Sequence, residues 1–502
     1  MTHPTTQTPS DDRRRFGPRR LLGVVATGAL VLAACGSPPS TEGSGPGRTD
    51  GGEGGVDPAT CPIDALAEAD GPVEINLWFG GLVEPPVNVM TDLVEEFNAS
   101  QDEVVVTADN QGVAYAEVMR KYRGASATPA QLPDIIYLED TTLGEMVDKG
   151  QVLPAEACMV ADDYDLEQIT ASARAAYTVD DVFYPGYMNV SSPILYFNKA
   201  HLTEAGLDPA AAPTTLAEIE EVARTLKEKG VSDKPLSFLA NQWFFNTWVV
   251  GAGDDIVNND NGRSEPATEA TFDTESALEV LTWLDRMNED GLLNPFPRTD
   301  GSIDHYLAVV TEASSMIVET STASGTIAAA LGGEISASEN GIDLDAAALS
   351  GANLVPASAQ LPGVSAPGQV YASGGAFFML NTGSDAEQAA AWEYMKFLLK
   401  PENAKRWHIE GGYIPVVKEA INDPEVLEFQ RNELEGVLLK PSVEQLSAAD
   451  PDRVSPLIGP NTDFEKIVQG AMERVLFEDA DPAEALSQAE AEATALLEDY
   501  NG

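Results

Sequence analysis

Tyr184-Pro185-Gly186-Tyr187-Met188-Asn189-Val190-Ser191-Ser192-Pro193-Ile194-Leu195-Tyr196-Phe197-Asn198-Lys199 begins in turn chemistry and ends in an apolar run. Pro185-Gly186 supplies a fixed φ followed by a permissive residue. Ile194 to Phe197 is β-branched and aromatic, the composition of a buried strand. Pro193 cannot donate a ladder hydrogen bond, so the run before it belongs at a sheet edge or at a crossing between lobes. A crossing would turn the hydroxyls of Ser191 and Ser192 toward a cleft. An ordinary core strand with a polar approach fits the spacing as well.

Outward from there, the chain alternates strands and helices. Val73–Phe79 alternates apolar and polar residues as a strand does, and Val89–Phe97 has helical spacing. Val104–Val106 reads as a strand, Tyr115–Tyr122 as a short helix, and Leu132–Leu138 as a strand ending at Glu139-Asp140. This order predicts a βαβ layout, in which ligands lie beyond the carboxyl ends of the strands. Farther on, a helix is expected over Thr215–Lys229, and Phe238–Val250 carries the densest aromatic cluster, with Trp243 in it. Asn258–Gly262 reads as a surface turn whose glycine is out of register for an EF-hand. Phe272–Met287 and Ala386–Leu399 are periodic helices, Ala313–Glu319 a strand, and Tyr371–Leu380 a glycine-led strand. The tail, Phe464–Tyr500, reads as two helices around Asp481-Pro482.

A formal net charge of −52 over 502 residues makes nucleic acid and anionic lipid headgroups poor partners. The sequence has no P-loop, HExxH, CxxC pair or Gly-x-Ser-x-Gly elbow, and His3, His201, His305 and His408 are scattered. No metal or cofactor is implied. Sugar recognition needs other parts: aromatic faces for pyranose C–H groups, carboxylates and amides for vicinal hydroxyls.

Three segments carry a resemblance: residues 188–219 (MNVSSPILYFNKAHLTEAGLDPAAAPTTLAEI), 373–380 (SGGAFFML) and 390–420 (AAWEYMKFLLKPENAKRWHIEGGYIPVVKEA). From residue 72 onward the chain is similar to family 1 extracellular solute-binding proteins of ABC importers. The nearest branch is the glycerol-3-phosphate one, related to maltodextrin-binding proteins. The resemblance implies an α/β, two-lobed periplasmic-binding-protein-like (type II) fold with three hinge crossings, expected at 187–192, 318–322 and 372–376. Lobe 1 is expected over 72–188 and 320–371, and lobe 2 over 189–319 and 372–502. It also implies ligand-binding roles for Tyr115, Glu139, Asp140, Ser191, Ser192, Trp243, Ser321, Gly374, Gly375 and Tyr413.

That branch holds phosphate with an Arg near the C-terminus, where this sequence has Glu465, with Arg453 nearby as the alternative. A carboxylate repels phosphate, so the expected ligand is a neutral oligosaccharide or polyol, with a glycerophosphodiester as the alternative. The expected partners are that ligand and the permease transmembrane subunits, with the protein acting as a monomer. A secreted glycoside-active enzyme using Glu139 and Asp140 is the reading from another class.

At the N-terminus, Arg13-Arg14-Arg15 and Arg19-Arg20 precede an apolar run, Leu21–Ala34, too short to span a bilayer. Leu32-Ala33-Ala34-Cys35 matches the bacterial lipobox, so residues 1–34 are expected to leave as a lipoprotein signal peptide with Cys35 lipidated. The protein would then be extracytoplasmic and held to the cell membrane by lipid alone. Residues 35–71 are expected to be a flexible linker, since Gly, Ser, Pro and acid leave little to bury. Cys61 and Cys158 are the remaining cysteines, an even pair that suggests one disulfide in an exported chain.

Overall fold

The computed structural model describes residues 56–82, 85–299, 304–332 and 354–502. The signal peptide 1–34, Cys35 and the linker up to residue 55 lie outside the described residues. No helix among the described residues is long and apolar enough to cross a membrane.

In chain order the strands are β1 (Val73–Phe79), β2 (Val104–Asn110), β3 (Ile135–Glu139), β4 (Val152–Leu153), β5 (Thr178–Val179) and β6 (Val182–Phe183). There follow β7 (Tyr187–Ser191), β8 (Pro193–Asn198), β9 (Leu236–Ala240), β10 (Leu293–Pro297), β11 (Met316–Thr320), β12 (Pro356–Gln360) and β13 (Ser373–Leu380). The first sheet runs β2-β1-β3-β13-β4, with β7 also paired to β13. Here β1 is parallel to β2 and β3, while β13 runs antiparallel to β3, β4 and β7. The second sheet runs β10-β9-β11-β8-β12, and β5 and β6 form a separate hairpin. Two sheets clothed by helices give the two-lobed α/β architecture.

The opening stretch is the junction between them. β7 ends in the first sheet at Ser191, and Pro193 begins β8 in the second. A proline at the first residue of a strand loses no ladder bond that β8 needs. The prolines of β10 are tolerated because that strand is the sheet's edge.

The lobe assignments of the later chain are corrected. β12 pairs with β8 in the second sheet, whereas β13 lies between β3 and β7 in the first. Ala376–Leu380 is apolar throughout and fully buried, which suits a central strand covered on both faces. The helix Asp385–Leu399 packs on β1 and β13, so the first lobe keeps this region. The second lobe regains the chain with the helix Leu434–Ser447, which packs on β12 and β8. The passage expected at 318–322 is also corrected. Ala323 and Ile327 pack on Ile194, Tyr196 and Ile317, so the chain stays with the second sheet after β11. The three passages fall at 191–193, between β12 and β13, and through the helix Pro424–Asn432.

The linker expected over 35–71 does not extend through residues 58–68, which are folded. Short 3-10 turns at Pro58–Thr60 and Ile63–Glu68 lie on the helices Ala155–Ala161 and Asp385–Leu399. Cys61 and Cys158 form a disulfide across a sequence separation of 97, with both residues buried. Closing a loop of that length removes much denatured-state entropy. Double replacement by Ser is expected to lower the unfolding free energy by about 2–4 kcal/mol. Denaturant titration of oxidised natural chain against the variant checks it; equal midpoints would show that the bridge adds nothing to stability.

Candidate functional site

Between the lobes lie two hollows of about 390 and 210 Å³, sharing Tyr115, Glu139, Arg298, Tyr413 and Glu465 in their walls. They form one cleft, reached by carboxyl-terminal strand ends as a parallel arrangement predicts.

From the first lobe, Glu139 is the last residue of β3. Asp140 begins a 3-10 turn, and its Oδ1 accepts from Ser373 Oγ at 2.7 Å and from the Gly374 amide at 3.0 Å. Tyr115 opens the helix Tyr115–Ala125, its ring 5.9 Å from that of Tyr137 on β3. Tyr413 packs edge-on to Trp407 at 6.1 Å. The phenols of Tyr115, Tyr137 and Tyr413 interact with one another, and burial raises all three above the usual tyrosine range.

From the second lobe, Asn241 caps the helix Gln242–Ala252, its Oδ1 accepting from the Trp243 amide at 3.0 Å. This cap aims Trp243 and, one turn on, Asn246 into the cleft, while Phe244, Phe245 and Trp248 go to the core. Trp243 Nε1 and Asn246 Oδ1 are buried without a hydrogen-bond partner. Glu465 stands in the first turns of the helix Asn461–Glu478 and accepts from Asn461 Nδ2 at 2.8 Å. Arg298, just past β10, donates from Nη1 to Gln242 Oε1 at 2.7 Å and to Asn241 Oδ1 at 3.2 Å. In the larger hollow His305 and Glu319, both buried, meet at 2.9 Å.

The cleft is therefore rich in carboxylate. Burial and the charge of Glu465 push the Glu139 carboxyl up to about 8, with Arg298 opposing. Burial raises Glu465 as well, again opposed by Arg298. Asp140 is raised by burial, against the bonds from Gly374 and Ser373.

Of the residues expected at the site, Tyr115, Glu139, Asp140, Ser191, Trp243, Gly374 and Tyr413 line it together. Three do not. The Ser192 Oγ is fully buried and accepts from Gln445 Nε2 at 3.2 Å. Ser321 donates its amide to Ser192 O at 2.9 Å, so the two serines pin the junction rather than face the cleft. Gly375 lies over the Tyr137 ring, where a Cβ would stand 2.1 Å from it. Arg453 lies beside Gly253 and Asp255, away from the cleft walls. The basic residue in the cleft is Arg298, which sequence reading misses because a proline-rich strand precedes it. Asn241, Gln242, Asn246 and Tyr371 are missed too; the first is legible as a helix cap before the aromatic cluster. Asp140 is engaged by Ser373 and Gly374 of β13, and its charge acts on Glu139 together with that of Glu465 from the other lobe. Among the described residues no group of three or more His, Cys, Asp or Glu could hold a metal ion.

The model of a family described as bacterial extracellular solute-binding protein matches residues 92–433. The chain is 25% identical over 232 residues to the sn-glycerol-3-phosphate-binding periplasmic protein UgpB of Pectobacterium atrosepticum, covering 46% of this chain and 48% of that protein. It is 27% identical over 233 residues to UgpB of Escherichia coli (strain K12), with the same coverage. The chain thus spans about half the length of the curated relatives it matches. Among solved structures it resembles the cyclic alpha-maltosyl-1,6-maltose binding protein from Arthrobacter globiformis, with a TM-score of 0.67 and 22% identity, over 86% of this chain and 100% of that one. UgpB from Mycobacterium tuberculosis in complex with glycerophosphocholine gives a TM-score of 0.66 at 17% identity, over 86% and 100%. At these identities the likeness is one of fold.

Proposed function

The chain belongs to the bacterial extracellular solute-binding protein family, and from that premise we propose that it captures a carbohydrate by closing two lobes and delivers it to an ABC permease. The observation that carries the proposal is the cleft itself, with aromatic rings and hydrogen-bonding side chains drawn from both lobes. A ligand touching Tyr115 and Tyr413 on one side and Trp243 on the other gains contacts only when the lobes approach. It therefore shifts the population toward the closed state, with no bond broken. The ligand is an oligosaccharide or polyol without phosphate. Cys35 is the proposed lipid attachment point, holding the folded part outside the cytoplasm on a tether.

Arg298 favours a second reading, a glycerophosphate ligand like that in the names of the UgpB relatives. Its guanidinium is the right group for a phosphate. Glu139 and Glu465 beside it oppose an anion, which is why the phosphate-free carbohydrate stands first.

Small-angle scattering with a panel of oligosaccharides, polyols, sn-glycerol 3-phosphate and glycerophosphocholine tests both. A saturable decrease in radius of gyration with a carbohydrate, and no shortened product afterwards, is the expected result. Compaction with the glycerophosphates alone would reverse the order of the two readings. Product formation would make the protein an enzyme, and an unchanged radius throughout would end the capture model.

A further inference from the structure

Resting on the capture reading, we propose that the ligand carries a protonated amine, seated between Glu139 of the first lobe and Glu465 of the second. The argument is one of charge and of hydrogen-bond supply. The smaller hollow is lined by three carboxylates, Glu139, Asp140 and Glu465. Asp140 is already engaged by Ser373 and Gly374. Among the described residues lining either hollow, Arg298 is the one guanidinium or ammonium, and its hydrogen bonds go to the neutral amides of Asn241 and Gln242. Its charge acts on Glu139 and Glu465.

A buried polar atom points the same way. Asn246 Oδ1, in a residue 8% exposed, has no hydrogen-bond partner and belongs to the wall of this hollow. It is an acceptor, as are the two carboxylates, and beside it the indole Nε1 of Trp243 is a buried donor without a partner. A hydroxylated ligand can serve both atoms, but closing the lobes over a neutral molecule seals Glu139 and Glu465 with one guanidinium between them, so one of the two carboxyls must keep a proton. Uncompensated buried carboxylates are strongly unfavourable. A phosphate or carboxylate on the ligand makes this worse. An ammonium offers three N–H donors and the missing positive charge in one group. The rings of Tyr115, Tyr413 and Trp243 in the same walls add cation–π attraction.

The groups facing Glu139 are Glu465, Asp140, Arg298 and the phenols of Tyr115, Tyr137 and Tyr413. Of these only Arg298 is cationic, so an incoming ammonium also expels the proton that the two glutamates retain near neutrality. An amine already charged in water should release a fraction of a proton on binding, up to about one, whereas a neutral amine takes that proton up itself.

The test uses the purified chain and two matched probes: chitosan oligosaccharides with free amines and their fully N-acetylated counterparts of the same length. Calorimetry at pH 7 and low salt should show the free-amine form binding at least tenfold tighter. Glu465→Gln and Glu139→Gln should each bring the ratio of the two affinities toward one, with thermal unfolding confirming that the variants are folded. If a variant fails to fold, the other variant and the natural chain's own ratio decide. Equal or tighter binding of the acetylated probe overturns the proposal and leaves carbohydrate capture standing. A preference untouched by either substitution also overturns it, as does no binding of either probe at millimolar concentration. If, in addition, no carbohydrate compacts the protein, the capture reading falls with it.

Discussion

Replacing Gly374 by Ala lowers the unfolding free energy by about 3–5 kcal/mol, the largest loss expected from any single methyl group near the cleft. Two independent causes add. Gly374 has φ +146, a conformation that side chains on L residues rarely adopt. A Cβ there would also stand 2.1 Å from Asn189 O, a backbone atom of the paired strand β7. Backbone cannot rotate aside as a side chain can, so β13 must part from β7 at the first of the passages between lobes. The Gly374 amide then loses its bond to Asp140 Oδ1, leaving that carboxylate less satisfied in a buried position. For a chain of this size the thermal midpoint should fall by roughly 3–6 °C. Gly375→Ala meets a side chain instead, the Tyr137 ring, which packs on Tyr115 and Phe377. Its mark should be lost ligand affinity through a displaced Tyr115, with a smaller loss of stability. Calorimetric scans and binding isotherms on both variants separate the effects; a Gly374→Ala chain with an unchanged midpoint would mean that β13 does not pass so close to β7.

How much of the fold is legible in the sequence varies with the range of the forces involved. Strand β1 is readable at its observed bounds, because alternation over Val73–Phe79 is a local pattern and one face is buried. The helix after Thr215 is readable from its cap, whose Oγ1 accepts from the Glu218 amide at 3.2 Å. The crossing at Ser191–Pro193 follows from a proline that interrupts an apolar run. What periodicity does not supply is partner choice. β12 and β13 follow one another in a glycine- and alanine-rich region, and nothing local says that one joins β8 and the other β3. Asn258–Gly262 reads as a surface turn, yet three successive residues, Asn259, Asp260 and Asn261, take left-handed φ. Asn261 is buried, its Oδ1 accepting from the Ile256 amide at 2.9 Å. That turn is held by tertiary bonds, which override the propensity seen in sequence. Likewise Arg298 is brought to the cleft by an edge strand whose two prolines mask it as a loop.

Glu139→Gln should separate from the natural chain as pH rises. In the unfolded chain this carboxyl ionises at its ordinary 4.5, whereas in the fold it is pushed up to about 8 by burial and by Glu465. Between those values the folded protein holds a proton that the unfolded chain has released. Folded stability is therefore fully present below about pH 4.5, falls as pH rises through the window, and levels off above 8. Each tenfold difference in proton affinity between the folded and unfolded chain is worth about 1.4 kcal/mol at most. Partial exposure reduces this, so the loss from this group amounts to about 2–3 kcal/mol. Gln cannot ionise and escapes it. Denaturant titrations at pH 5 and pH 9 should give near-equal stabilities at the first and a more stable variant at the second. Because Glu465 is a cause of the raised value, Glu465→Gln should return Glu139 toward the ordinary range and recover part of the same stability. The double variant should then gain less than the sum of the singles, the signature of two carboxylates sharing one proton. A gap between Glu139→Gln and the natural chain that stayed constant with pH would show that Glu139 ionises normally in the fold. In that case Glu139 and Glu465 would not repel one another across the cleft.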